Sequence, residues 1–228
     1  MRGCFVTGTD TGVGKTVLTA TIVAALRTAG HPLRVLKPVL TGLDDEADPV
    51  WPRDHELLAA VAGCSPEDVV LEGYGPPVSP HLAAALAGRP LSVTDLAQRI
   101  RDAVTPEAAL VVEGVGGLLV PIGADGDVRT LAAQLGLPVL IAARPGLGTI
   151  NHTLLTLAAA RDAGLPIAAV VLTPWPQAPD EIERSNRETI ERLGAVEVAT
   201  LGPVARPTLA ALAAAAAQLP VARWLQTG

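Results

Sequence analysis

Nine residues near the start constrain this chain more than anything else in it: Gly8-Thr9-Asp10-Thr11-Gly12-Val13-Gly14-Lys15-Thr16. They follow the apolar run Cys4–Thr7, which predicts a buried strand. They open a helical pattern from about Gly14 to Ala29 that Gly30 closes. A glycine-rich turn between a strand and a helix has a definite physical use. Gly12 and Gly14 let the backbone curl until successive N–H groups point inward. Those groups and the positive helix end then cradle phosphate oxygens. Lys15 is placed to reach the outer phosphates, and Thr16 to offer its hydroxyl to Mg²⁺. The spacing departs from the general pattern in one place: position 9 is Thr, and the nearest glycine, Gly8, comes one residue early.

The rest of the chain extends the same architecture. Leu33–Lys37, Ala109–Glu113, Pro138–Ala142 and Ile167–Leu172 read as short buried strands, and Asn151–Ala163 and Asp180–Leu193 as helices. Such alternation predicts an α/β, single-domain P-loop NTPase-like fold, a mostly parallel central sheet with helices on both faces. The 75–92 stretch carries Pro76, Pro77, Pro80 and Pro90 and reads as a long crossing loop with a short helix at His81–Ala87. Leu209–Gln218 reads as a C-terminal surface helix. No Ser/Gly-rich linker, charge block or internal repeat divides the 228 residues, so one domain over 1–228 is expected.

Composition narrows the function. A net charge of −6 disfavours a general nucleic-acid binder. Cys4 and Cys64 stand far apart and outside any C-x-x-C pattern, which argues against a disulfide framework or a zinc site. No apolar run is long enough for a secretory signal or a membrane span, so a soluble, cytoplasmic protein with no membrane partner is expected.

A phosphate loop needs an acidic partner at the end of another strand. Leu110-Val111-Val112-Glu113-Gly114-Val115-Gly116-Gly117 supplies one, Glu113, and the glycines beyond it allow a ligand close to the backbone. Mg²⁺ keeps several waters, so one hydroxyl and one or two carboxylates suffice. Lys37 closes the second strand and is one of only two lysines, the other being Lys15. Its position points it toward the same crevice. Asp54 opens a helix in Arg53-Asp54-His55-Glu56-Leu57, where an ordinary capping role is equally open. Asp44, Asp45, Glu46 and Asp48 read as a solvated loop, and Asp125-Gly126-Asp127 as a turn.

Taken in order, these segments resemble the dethiobiotin synthetase family. The resemblance rests on Val6 to Thr16, on Lys37-Pro38-Val39 with Thr41-Gly42, and on Ser79-Pro80-His81. It continues through Val112-Glu113-Gly114 with Gly116-Gly117 and through Leu147-Gly148-Thr149-Ile150-Asn151-His152-Thr153. It runs from residue 4 to about residue 165 and is weak over the last sixty residues.

The resemblance implies a Mg²⁺-dependent, ATP-using ligase that closes the cyclic urea of dethiobiotin from 7,8-diaminononanoate and CO₂ or bicarbonate. Thr16, Asp54 and Glu113 would be metal or metal-water ligands. Gly12, Val13, Gly14, Lys15, Thr16, Val17, Val115 and Gly116 would hold the nucleotide. Thr173, Pro174, Pro203, Val204 and Ala205 would lie near its base. Lys15, Lys37 and Thr11 would be catalytic, with Thr41 beside Lys37 at the carbamate. Thr and Pro at 173 and 174 cannot offer a base the paired donor and acceptor of an amide, which leaves the nucleotide open. Gly148, Thr149 and Asn151 stand where N–H groups are free at a helix start, a suitable carboxylate site. The family places this segment on a partner subunit, so the resemblance implies a homodimer with the active site at the interface.

Two other readings share the phosphate loop. Partition or transport ATPases typically carry an extra lysine at the position of Asp10. An amidating synthetase usually needs a glutamine-hydrolysing domain with a nucleophilic Cys, and neither cysteine here has that context. A small-molecule kinase is a further, weaker option.

Overall fold

The computed structural model describes residues 2–46, 48 and 51–225. The first half runs β1 (Gly3–Gly8), α1 (Lys15–Thr28), β2 (Leu33–Leu36), β3 (Val39–Leu40), α2 (Asp54–Ala62), α3 (Pro66–Val69), β4 (Glu72–Gly73), α4 (Pro80–Leu86), α5 (Val93–Asp102) and β5 (Ala109–Glu113). It continues with β6 (Pro121–Gly123), β7 (Gly126–Asp127), α6 (Val128–Leu135), β8 (Val139–Ala143), α7 (Thr149–Asp162), β9 (Ile167–Leu172), α8 (Glu181–Gly194), β10 (Val198–Thr200), α9 (Leu209–Ala216) and α10 (Val221–Trp224).

Six strands form the central sheet in the order β10-β9-β8-β1-β5-β2, and every neighbouring pair is parallel. A parallel sheet survives only with both faces covered. The strands show it residue by residue, because side chains alternate between faces. Phe5, Leu110, Val112, Ile141 and Val170 enter one core with Leu96 and Ile100 of α5, Leu131 of α6, Leu157 of α7 and Ile190 of α8. Cys4, Val6, Val111, Leu140 and Val171 enter the other with Leu18 and Ile22 of α1, Leu57 and Leu58 of α2, Leu212 of α9 and Trp224 of α10. Burial pushes the Cys4 thiol up to about 12, so this cysteine is a packing atom rather than a nucleophile.

Strand order reverses beside β1: the chain first runs to β2 at one edge, fills in β5, and then crosses to β8 on β1's other side. Ligands of open parallel sheets bind at the carboxyl ends of strands where the order reverses. The loop after β1 lies at that point.

Several elements go beyond what the sequence predicts. The 93–102 and 128–135 segments are helices. Ser92 Oγ accepts from Asp95 N at the start of α5, and Asp127 caps α6. Asp125, in the expected turn, also serves α5, accepting from Val93 N at 2.9 Å, Thr94 N at 3.2 Å and Ser92 Oγ at 2.8 Å. The edge strand β10 is three residues long, too short to leave a pattern. The C-terminal helix α9 is more than a surface helix. It lies against α1, with Leu212 and Ala216 buried.

Candidate active site

The phosphate loop leaves β1 at Gly8 and enters α1 at Lys15. Gly12 (φ 69°) and Gly14 (φ 92°) both take left-handed backbone, which side chains disfavour. At Gly14 space adds to the constraint, because a Cβ there would lie 2.7 Å from Thr173 Cγ2. Val13 turns its side chain into the core, so it can serve a ligand only through its backbone. Asp10 shapes the outer turn by accepting from Thr11 N at 2.7 Å, and its carbonyl accepts from Lys15 Nζ at 2.8 Å. Within α1, Thr19 Oγ1 donates to Lys15 O at 2.9 Å. That bond allows a hydroxyl to be fully buried in the helix that carries the loop.

Two strand ends and one helix start converge on this loop. Glu113 is 1% exposed at the end of β5, in register with Val6 of β1. Its Oε1 accepts from Thr16 Oγ1 at 2.9 Å and from Lys37 Nζ at 2.8 Å, and its buried Oε2 has no hydrogen-bond partner. Lys37 follows β2 and also pairs with Asp54 Oδ2. Asp54 is the first residue of α2, with Arg53 at the cap position, and its side chain turns to the lysine.

These contacts set the charges. Burial works to lower the Lys37 pKa, but Glu113 and Asp54 outweigh it and hold the ammonium well above the usual lysine range. Burial works to raise the Asp54 carboxyl, yet the charge and hydrogen bond of Lys37, with the Thr16 hydroxyl, keep it below the usual carboxylate range. Lys15 goes the other way: burial brings its pKa down to about 8.

Above this floor lies a crevice of about 680 Å³. Of the expected residues, Thr11, Gly12, Gly14, Lys15, Thr16, Val17, Lys37, Thr41, Asp54, Val115 and Gly116 line it, and Glu113 lies bonded beneath. Ser79 and Pro80 also line it, together with Asp45 and Trp51, which sequence reasoning missed. Asp45 belongs to the acidic group expected to be plain solvated loop, and nothing in its local pattern marks it. A lone Trp beside an acidic loop carries no positional signal either.

Pro203, Val204 and Ala205 do not reach this crevice. They line a second hollow, about 790 Å³, with Trp175, Gln177 and Gln218. Thr173 is buried against Gly14 of the phosphate loop and Pro174 is exposed beside it. Gly148, Thr149 and Asn151 form the start of α7 and line neither space. Gly148 takes left-handed backbone at φ 89°, Asn151 is exposed, and the neighbouring Leu147 is 95% exposed.

The floor suits Mg²⁺. Its donors are all hard oxygens, a hydroxyl and two carboxylates, and the unpartnered Glu113 Oε2 is a buried acceptor without a donor. Phosphate and water oxygens complete such sites. Chemically, the arrangement can bind a polyphosphate chain and hold an ammonium group where a phosphoryl group would be transferred.

Comparison with known proteins identifies the family and the fold. Residues 2–211 match a family described as AAA domain. The chain is 45% identical over 193 residues to the ATP-dependent dethiobiotin synthetase BioD of Mycobacterium avium (strain 104), covering 84% of this chain and 83% of that one. It is 38% identical over 208 residues to the enzyme of the same name from Bacillus subtilis subsp. natto, covering 89% and 87%. Among solved structures, the cell division ATPase MinD of Pyrococcus furiosus superposes with a TM-score of 0.55 at 18% identity, over 98% of both chains. A ParA family ATPase from Chlorobium tepidum TLS gives 0.52 at 12% identity, over 98% and 94%. At those identities the two structures speak to the fold alone, a P-loop NTPase fold.

Proposed function

The chain belongs to the ATP-dependent dethiobiotin synthetase family, and on that premise we propose how its residues divide the reaction. It is an ATP-dependent ligase of biotin biosynthesis that forms carbon–nitrogen bonds. The substrates in this reading are 7,8-diaminononanoate, CO₂ and ATP. One neutral amine adds to CO₂, forming a carbamate and releasing a proton. A carbamate oxygen attacks the γ-phosphorus, ADP leaves, and a carbamic–phosphoric anhydride results. The second amine attacks the carbonyl carbon, phosphate leaves, and the urea ring closes. One carbon and two nitrogens are joined, and ATP becomes ADP and phosphate.

The physical difficulty is the approach of an anionic carbamate to an anionic phosphate. Positioning and charge stabilisation supply most of the catalysis in phosphoryl transfer. The single observation that carries the reading is the placement of Lys37, an ammonium held between Glu113 and Asp54 in the phosphate-loop crevice. Its raised pKa suits it to charge stabilisation and not to proton abstraction. Lys15 holds the outer phosphates, and the loop N–H groups from Gly12 to Thr16 hold the rest. Thr11 and Thr41 offer hydroxyls to the carbamate and the moving phosphoryl group. Thr16, Asp54 and Glu113 would hold Mg²⁺, which supplies further neutralisation of phosphate charge.

The diamine's carboxylate, at the far end of an apolar tail, is taken by the α7 start of a second copy: the N–H groups after Gly148, with Thr149 and Asn151. The exposure of Asn151 and Leu147, and their absence from the crevice of their own chain, support this dimeric arrangement. The base lies on the side of Thr173, Pro174 and the Pro203–Ala205 segment. The enzyme works in the cytoplasm as one domain over 1–228. Among the described residues, no helix is long and apolar enough to cross a membrane.

Carbon tracing tests this chemistry. With ¹³C-bicarbonate, ATP, Mg²⁺ and the diamine, the label is expected in the urea carbonyl of a cyclised product. A product without the label, or no product from the diamine, would reject the reading.

A further inference from the structure

Five residues, Arg144-Pro145-Gly146-Leu147-Gly148, connect the end of β8 to the start of α7. Loops of this kind ordinarily give their carbonyls to water. Here a buried side chain takes two of them. Asn186 of α8 is 7% exposed, and its Nδ2 donates to Pro145 O at 2.9 Å and to Gly146 O at 3.1 Å. Both amide hydrogens are thus spent on consecutive carbonyls of one loop. Asn186 sits one turn before Ile190, on the face of α8 that enters the core. A hydrophobe would be the ordinary occupant of that face, because burying an amide costs free energy unless its polar atoms are paired. At the start of the same loop, Arg144 Nη2 lies 3.4 Å from Thr11 O and from Gly12 O, at the long end of hydrogen-bond range. The connection is therefore fastened to α8 through a buried amide, and it reaches the outer carbonyls of the phosphate loop through a guanidinium.

We infer that Asn186 is a positioning residue for substrate recognition: by holding the Pro145 and Gly146 carbonyls, it fixes where the first turn of α7 presents its N–H groups and Asn151 to the diamine carboxylate. The role rests on assigning that helix start to the carboxylate, as above. Asn186 touches no substrate. It acts through the loop, and Arg144 ties the same loop to the nucleotide side. Gly146 and Gly148 leave the connection little stiffness of its own, so the amide supplies the restraint.

Steady-state kinetics of the full-length Asn186→Asp and Asn186→Ala enzymes test this. Aspartate keeps the shape but turns an anionic oxygen toward two carbonyls, and alanine removes the donors without adding charge. Should the aspartate variant fail to fold, the alanine variant carries the test. The expected result is a diamine KM raised about tenfold or more, with kcat and the ATP KM within about twofold of the parent. The rise should vanish with a diamine of equal length that lacks the carboxylate. An unchanged diamine KM overturns the role. So does an equal rise with the carboxylate-free diamine, which would mark general damage to the fold. Asn151→Ala, measured alongside, separates the two ideas. If it too leaves the KM unchanged, the carboxylate assignment itself fails. If it raises the KM while the Asn186 variants do not, only the positioning role fails.

Discussion

Lys37 and Glu113 stand 76 residues apart in sequence, yet Lys37 Nζ lies 2.8 Å from Glu113 Oε1, below the phosphate loop. The pairing follows from topology. β2 and β5 are parallel neighbours with Leu36 in register with Val112, so the residues after them emerge side by side at the carboxyl edge. Removing the ammonium leaves a buried carboxylate uncompensated as well as the reaction without its cation. Lys37→Ala is expected to lower kcat about 100-fold or more. Its thermal stability should fall, by about 3–5 kcal/mol on the scale of broken buried pairs. Nucleotide should still bind, since the phosphate loop is untouched. Stopped-flow turnover, thermal unfolding and nucleotide titration check the three parts.

Gly14→Ala tests the loop's backbone. Left-handed φ at a non-glycine residue costs about 1–3 kcal/mol, and the added Cβ meets Thr173 Cγ2. Loss of nucleotide binding with a lowered melting temperature is the expected outcome. Adding Thr173→Ser, which removes the offending methyl, should recover part of the stability and not all of it, because the φ strain remains. Complete recovery would mean that only the clash mattered.

Lys15 gives a pH dependence. In the free protein its pKa is lowered by burial to about 8, below the usual lysine value. Bound phosphates favour the charged form and raise it again. Above pH 8, binding must therefore take up a proton, and affinity should fall as pH rises. Calorimetric titration of nucleotide at pH 8.5, in buffers of different ionisation heat, is expected to show net proton uptake. Equal apparent enthalpies across the buffers would count against the assignment.

Asp125 separates stability from chemistry. It caps the start of α5 from the β6–β7 turn, away from the crevice. Asp125→Ala should cost about 1–2 kcal/mol of stability and leave kcat unchanged. Burial works to raise its pKa, but the hydrogen bonds from Val93, Ser92 and Thr94 prevail and hold it below the usual carboxylate range. A depressed native pKa contributes stability above the unfolded value and loses it as pH falls through the native one. The difference between parent and variant in urea unfolding should accordingly shrink on acidification below the ordinary carboxylate range.

What the sequence made legible and what it hid divide along chain separation. The phosphate loop is contiguous, and its strand, turn and helix can each be read locally. Glu113 and Lys37 are legible because each closes an apolar run, and strand ends face the crevice in this architecture. Asp54 is ambiguous in sequence, since a carboxylate at a helix start also suits capping. The structure places Arg53 at the cap position, with its N–H donating to Glu56, and Asp54 against Lys37. Asp45, Trp51, Arg144 and Asn186 acquire their surroundings only through tertiary packing. Asn186 shows why: within a strongly charged helix it looks like one more solvated residue, and only the loop from β8 gives its amide a purpose. Helices α5 and α6 were hidden for a different reason. Their apolar faces, Val93, Leu96, Ala97 and Ile100 in α5 and Val128, Leu131, Ala132 and Leu135 in α6, do follow helical spacing, but their caps, Ser92 and Asp127, sit among residues that read equally well as turns.

Phosphate release from ATP, with Mg²⁺ and bicarbonate, measured with and without 7,8-diaminononanoate, tests the central claim most directly. Release that requires both the diamine and bicarbonate is the predicted result. Release at the same rate without the diamine would contradict it and assign the crevice to nucleotide hydrolysis of the switch-ATPase kind.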